Sequence, residues 1–158
     1  MHPVDPVDVA ASAAFMRWDL DTFPHVVGRA QPVTPTEETT SAMLRCFEQL
    51  VAGPARITLL FDVTEAKMVP IAFLKRVAKF MQTCKPKILQ HLLCSTVVCG
   101  ASTKMLLDLF FTFFTPARPN RRFRTEPEAV AWTLAQWESA QQPASIKSAP
   151  RSPPGSYP

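Results

Sequence analysis

Two short apolar runs constrain the fold of this chain more than any other feature. Residues Ile57–Val63 read ITLLFDV and residues Leu92–Gly100 read LLCSTVVCG. Each has strand length, and neither alternates apolar with polar residues. A run of that kind is buried on both faces, as in a parallel or mixed sheet. Between them Pro70 can stand in the first turn of a helix, where no amide donor is needed. Ile71, Leu74, Val77, Ala78 and Met81 then recur at helical spacing, and the pattern gives out by Pro86. Strand, helix and strand in that order imply a right-handed crossover between parallel strands.

The flanks continue the alternation. Ala14–Trp18 and His25–Ala30 read as strands around a turn at 19–24. Thr36, Glu37 and Glu38 mark a helix start, where the macrodipole favours acidic groups. Met43, Leu44, Phe47, Leu50 and Val51 form its apolar stripe, and Gly53-Pro54 stops it. Ser102 or Thr103 can cap a third helix, Arg121–Thr125 reads as a short strand, and Glu126 starts a last helix that runs to about Ser139. The order β-β-α-β-α-β-α-β-α specifies an α/β fold, a mixed, mostly parallel sheet flanked by about four helices. The chain has 158 residues, which suits one domain. That domain spans 14–138. Residues 1–13 read as a disordered lead, and 139–158 as a disordered tail rich in proline and serine. Within the tail, Ser152-Pro153 has the form of a proline-directed phosphorylation site.

Three stretches carry a family resemblance. RITLLFDVTEA resembles the hydrophobic strand followed by Asp that opens the middle of STAS domains. CSTVVCGASTKMLLDLFFTFF resembles the strand and helix that follow it, and RRFRTEPEAVAWTL resembles the closing signature of the SpoIIAA-like branch. The resemblance covers residues 14–138. It implies the fold of anti-sigma-factor antagonists and a regulatory or protein-binding role. Signalling members of that family carry a phosphorylatable Ser or Thr at the start of the second helix. Here DVTEAKMVPIAFL places Pro70, Ile71 and Ala72 in that region, so the switch does not carry over. Thr64 is the nearest hydroxyl, and it reads as a turn residue.

Catalytic chemistry finds little support in the sequence. It contains no GxSxG, HExxH, P-loop or GxGxxG motif. The four cysteines, Cys46, Cys84, Cys94 and Cys99, have no zinc-site spacing and read as reduced, apolar-packing thiols. Lys85 and Lys87 beside Cys84 would favour its thiolate somewhat. The amides of Gly100, Ala101 and Ser102 stand at a helix start, where an anion can be held, but the stretch reads as an ordinary strand-to-helix turn. The expectation is a non-enzymatic module with no cofactor and no metal. No basic-then-apolar leader precedes the domain, which reads as cytoplasmic.

Lys104–Pro116, KMLLDLFFTFFTP, is too short to span a bilayer, which takes about 20 apolar residues. Met105, Leu106, Leu109, Phe110 and Phe113 are expected to face the sheet. Leu107, Phe111 and Phe114 are left over, and three outcomes are open to them. They are covered by residues 1–14 or 116–120, they meet a protein partner or second copy, or they meet lipid or another apolar ligand. The protein-partner reading adds Lys75 and Lys79 to the surface. The lipid reading draws on Arg118, Arg121, Arg122 and Arg124 as an anionic-surface patch flanking an apolar helix. A nucleic-acid partner is disfavoured, because no aromatic residues are interleaved with these cations.

Overall fold

The structure, a computed structural model, describes residues 4–142. In chain order the elements are α1 (Pro6–Ser12), β1 (Met16–Asp19), β2 (His25–Ala30), α2 (Glu37–Ala52), β3 (Ile57–Asp62), α3 (Ile71–Thr83), α4 (Lys85–His91), β4 (Leu92–Val98), α5 (Ala101–Phe113), β5 (Asn120–Phe123) and α6 (Glu126–Gln141). The strands form one sheet in the order β1-β2-β3-β4-β5. β1 runs antiparallel to β2, and every later neighbour pair is parallel. The two apolar runs that fix the fold are β3 and β4 at its centre. In the register Val26 stands opposite Leu59, and Leu59 opposite Ser95.

The nine expected elements are all present, β2 with its expected ends and the others with one or both ends moved by up to four residues. Pro70 is the N-cap of α3 rather than its first helical residue. Thr36 caps α2 as anticipated: the Thr39 amide donates to Thr36 Oγ1 at 3.1 Å, and the Thr36 amide donates to Thr39 Oγ1 at 2.9 Å. In α5 the cap is Gly100. Thr103 sits inside the first turn, where its hydroxyl accepts from the Gly100 amide at 3.1 Å.

Two helices were not anticipated. Pro86 does not merely end α3. It stands in the first turn of α4, a position that its locked φ and missing amide suit. The lead 1–13, read as disordered, contains α1, which docks on α2. Val4 is buried, and the Asp5 carboxylate caps α1 by accepting from the Val7 amide at 2.8 Å. Asp8 accepts from Arg45 Nε and Gln49 Nε2, both at 2.8 Å, and Ser12 Oγ donates to the Met16 carbonyl at 3.1 Å. A seven-residue helix is not stable by propensity alone; these tertiary bonds hold it. Residues 1–3 lie outside the described residues. So do residues 143–158, including Ser152 and Pro153, whereas α6 carries the domain to Gln141.

The sheet is covered unequally. On one face α6 lies close on the strands, because small residues face it. Ala129 and Thr133 are buried there, and Ala129 packs with Leu60 and Val98. On the other face α2 packs Phe47, Leu50 and Val51 against Val26, Ile57 and Leu59. Next to it α3 and α5 meet each other, and bulky residues line their inner sides: Phe73 and Leu74 on α3, Leu106 and Phe110 on α5. Helices standing on rings that size are held further from the strands than α6 is. The space left beneath them is the candidate site.

Candidate functional site

The hollow has a floor of strand side chains and a roof of helices. Met16 and Trp18 of β1, Ala30 of β2, Phe61 of β3 and Val97 of β4 form the floor. Gly28 makes that floor possible. A Cβ there would lie 3.1 Å from Met16 Sδ, 3.2 Å from Trp18 Cζ3 and 3.4 Å from Phe61, so the bare backbone lets three large side chains converge above it. Met43, Leu44 and Phe47 of α2 close one wall. Phe73, Leu74, Val77 and Met81 of α3 form the roof with Leu106, Leu107, Phe110 and Phe111 of α5. The β3–α3 loop contributes Val63, Ala66 and Val69. The space between floor and roof is about 170 Å³ and is open in part to solvent. Every lining residue is apolar, and the one side-chain nitrogen among them, Trp18 Nε1, is buried without a hydrogen-bond partner.

Aromatic contacts frame the space. Phe15 meets Phe73 edge to face with centroids 5.3 Å apart, and Trp18 meets Phe61 the same way at 6.0 Å. The remaining tryptophans lie on the opposite side of the sheet. Trp132 is on α6 against Phe123, and Trp137 is on α6 against His25, whose Nδ1 is 2.9 Å from Thr58 Oγ1. Trp18 is therefore the tryptophan beside the hollow.

The leftover face expected on α5 is not where the sequence reading put it. Leu107 is buried at 8% exposure and lines the hollow, so it cannot present itself to a partner. Met105, expected to face the sheet, is 68% exposed. At 100° per residue Thr103, Leu106, Leu107 and Phe110 share one side of α5, and Met105 points nearly opposite. Phe111 and Phe114 are half-buried. Phe111 also borders the hollow, and its ring carries the Arg122 guanidinium 4.8 Å from the centroid. Phe114 ends the helix and packs on Phe110, with centroids 5.5 Å apart. Ile71, expected in the buried stripe of α3, is 53% exposed. Met68, at 65%, and Met105 are exposed as well, near the starts of α3 and α5.

The cations are grouped only in part. Arg122 is ion-paired to Asp108, which also takes Lys104 at 3.4 Å. The guanidinium that donates to Asp108 is the main reason its carboxyl is held below the ordinary value. Arg118 donates to the Leu89 carbonyl, and Arg121 lies over Phe123 at 5.4 Å. Arg124 is exposed beside Gly100 and Lys104. Of the four arginines named for an anionic surface, Arg122 and Arg124 therefore border one pocket with Gly100 and Lys104, while Arg118 and Arg121 lie elsewhere. Of the other group, Arg76 pairs with Glu37 at 2.8 Å and Lys87 with Glu48 at 2.8 Å. Lys79 is exposed over the groove between α2 and α3, and Lys75 Nζ sits 5.5 Å from the Phe113 ring, at the seam between α3 and α5.

The three buried thiols are not activated. Burial pushes Cys46 and Cys94 up to about 11. Cys84, expected to gain from its lysines, is raised as well. Burial dominates, Glu48 adds to it, and Lys87 opposes it only in part. Among the described residues no cluster of His, Cys, Asp or Glu converges to hold a metal ion. No hydroxyl stands at the start of α3, where Pro70, Ile71 and Ala72 lie. Thr64 donates to the Asp62 carboxylate from both its amide and its hydroxyl, at 3.0 and 2.7 Å, which closes the turn after β3.

The fold so described is SpoIIAA-like. The chain superposes on an uncharacterized protein of the DUF3478 family with a SpoIIAA-like fold from Shewanella loihica PV-4, with a TM-score of 0.51 and 17% sequence identity. The match covers 74% of this chain and 90% of that one. It confirms the architecture expected from the sequence, a mostly parallel mixed sheet with helices on both faces. No protein-family model matches the sequence, and no curated protein matches it. Among the described residues no helix is long and apolar enough to cross a membrane.

Proposed function

We propose that this protein is a non-catalytic binding module that takes a small apolar ligand, or the apolar part of a larger one, between its sheet and the α3–α5 pair. The observation that carries this reading is the hollow of about 170 Å³ whose walls offer no polar surface. Apolar voids of about 150 Å³ stay dry and admit a ring the size of benzene. Water gains nothing there, while each buried methylene gains about 0.8 kcal/mol. A resident segment of about six carbons would gain about 5 kcal/mol before the cost of association. That gain corresponds to a Kd of about 0.2 mM at the tightest. Acid, base and nucleophile are missing from the walls, and that composition supports binding rather than turnover.

The test is a titration of the full chain with 1-octanol. Binding raises the melting temperature and changes the tryptophan emission. In Trp18→Phe the emission change is lost while the melting shift remains. If octanol moves neither melting nor emission below its solubility limit, the reading fails.

A second reading, protein docking or self-association, draws on a different observation. Met68, Ile71 and Met105, near the starts of α3 and α5, are each exposed. Light scattering of the wild type against a Met68→Ser, Ile71→Ser, Met105→Ser variant decides it. A wild-type monomer at high concentration removes self-association.

A further inference from the structure

We propose that the ligand is a single-chain amphiphile with an anionic head, in its simplest form a medium-chain carboxylate. Its tail lies in the hollow and its head at the α3–α5 seam beside Lys75. This rests on the reading above that the hollow takes an apolar ligand, and it adds the chemistry of the head and where it sits.

Three observations carry it. First, a polar head cannot be solvated inside. The walls are wholly apolar, and the lone indole nitrogen among them is sealed from the space. A head left there would lose its hydrogen bonds to water with nothing in exchange.

Second, the hollow has a direction. The lining residues from α2 are buried, as are Leu74, Leu106 and Leu107, whereas Phe73, Val77 and Met81 of α3, Phe110 and Phe111 of α5, Val63 and Ala66 of the preceding loop, and Trp18 and Phe61 of the floor are half-buried. The space therefore opens toward α3 and α5, and a tail inserted there leaves its head at their outer seam.

Third, the seam favours an anion. α3 carries Lys75, Arg76 and Lys79 and no acidic residue, and the one acid of α5, Asp108, is already engaged by Lys104 and Arg122. Arg76 is taken by Glu37. Lys75 lies over Phe113 of α5, spans the seam, and makes no ion pair among the described residues. An ammonium on a four-carbon stem can follow a carboxylate without disturbing the packing below.

The length of the resident tail follows from the volume. A void of this order holds about six carbons. Affinity should therefore rise about four-fold per methylene in short chains and then level off.

The experiment uses the full chain at low salt with two probes of equal length, octanoate and 1-octanol, read by tryptophan emission and calorimetry. Octanoate should bind more tightly than octanol. Lys75→Glu should weaken octanoate about five-fold or more and leave octanol unchanged. Lys79→Glu, at an exposed site over the α2–α3 groove, should change neither. Both substitutions are on the surface, and unchanged melting of the free variants confirms that folding is intact. If octanol binds as well as octanoate, or if Lys75→Glu affects neither or both equally, the head assignment is overturned while the hollow remains a binding site. If neither probe binds, the underlying reading falls instead.

Discussion

Leu107→Ala tests the orientation of α5, on which the hollow depends. Leu107 is 8% exposed and points inward, while Met105, two residues earlier, is 68% exposed. Truncating a buried leucine to alanine costs about 2–5 kcal/mol, a transfer cost plus a cavity cost. Leu107 borders space that is already empty, so part of its surface has no packing partner to lose. That places the cost at the low end, about 2–3 kcal/mol. In a domain of this size each kcal/mol moves the melting temperature by about 2–4 °C, so Leu107→Ala should melt about 4–12 °C lower. Met105→Ala should stay within about 0.5 kcal/mol of the wild type. Calorimetric melting and urea titration of the two variants, side by side, read the difference. The opposite order, with Met105→Ala costly and Leu107→Ala silent, would mean that α5 is turned by about half a revolution and that Leu106 and Leu107 do not roof the hollow.

Other outcomes follow from the same structure. Asp8 sits below its ordinary value of 3.8, chiefly because Arg45 donates to it, so its stabilising contribution is present above that value and is lost as pH falls through the lower folded one. Asp8→Ala should cost about 1–2 kcal/mol near neutral pH, and in urea titrations the gap to wild type should close once the solution is well below 3.8. A gap that persists in acid would show that α1 is held by packing alone. In the native state at mildly alkaline pH, Ellman's reagent should modify Cys99 first, with Cys46, Cys84 and Cys94 reacting only on unfolding; fast labelling of all four would contradict their burial. Gly28→Ala should cost under about 1 kcal/mol, although its Cβ crowds Met16 and Trp18. Those side chains border free space and can shift, so Trp18 emission should change more than stability does.

The sequence disclosed most of the architecture because the architecture is written in local signals. β3 and β4 are apolar on both faces, Thr36 with its acidic first turn starts α2, and Gly53 ends it. α1 escaped notice because its local start signal, Asp5 and Pro6, precedes only seven helical residues, too few to hold a helix by themselves. Its bonds run from Asp5, Asp8 and Ser12 to residues far along the chain, and propensity carries no trace of them. α4 was missed because Pro86 was read as a stop, when proline in a first turn starts a helix as readily as it ends one.

The site was legible only in part. The surplus of phenylalanine on α5 was plain, but hydrophobicity alone does not say which way a helix turns, and Met105 was placed inward for being apolar. The 100° spacing of Thr103, Leu106, Leu107 and Phe110 would have reversed that assignment. The hollow itself has no sequence signature. It arises from the difference in height between helices standing on rings and one standing on Ala129, and that is a property of the assembled layers. The arginines were grouped by nearness in sequence, yet β5 sends Arg121 and Arg122 to opposite faces of the sheet, and Asp108 claims the second.

Methyl-resolved NMR of the full chain titrated with 1-octanol locates the alkyl chain residue by residue. Saturable shifts, and contacts from the alkyl protons, are expected at the methyls of Val77, Val97, Leu106 and Leu107, with Leu60 and Val98 beneath α6 unmoved. Shifts confined to exposed Met68, Ile71 and Met105, or no saturable shift at any of the inner methyls, would contradict binding in the hollow.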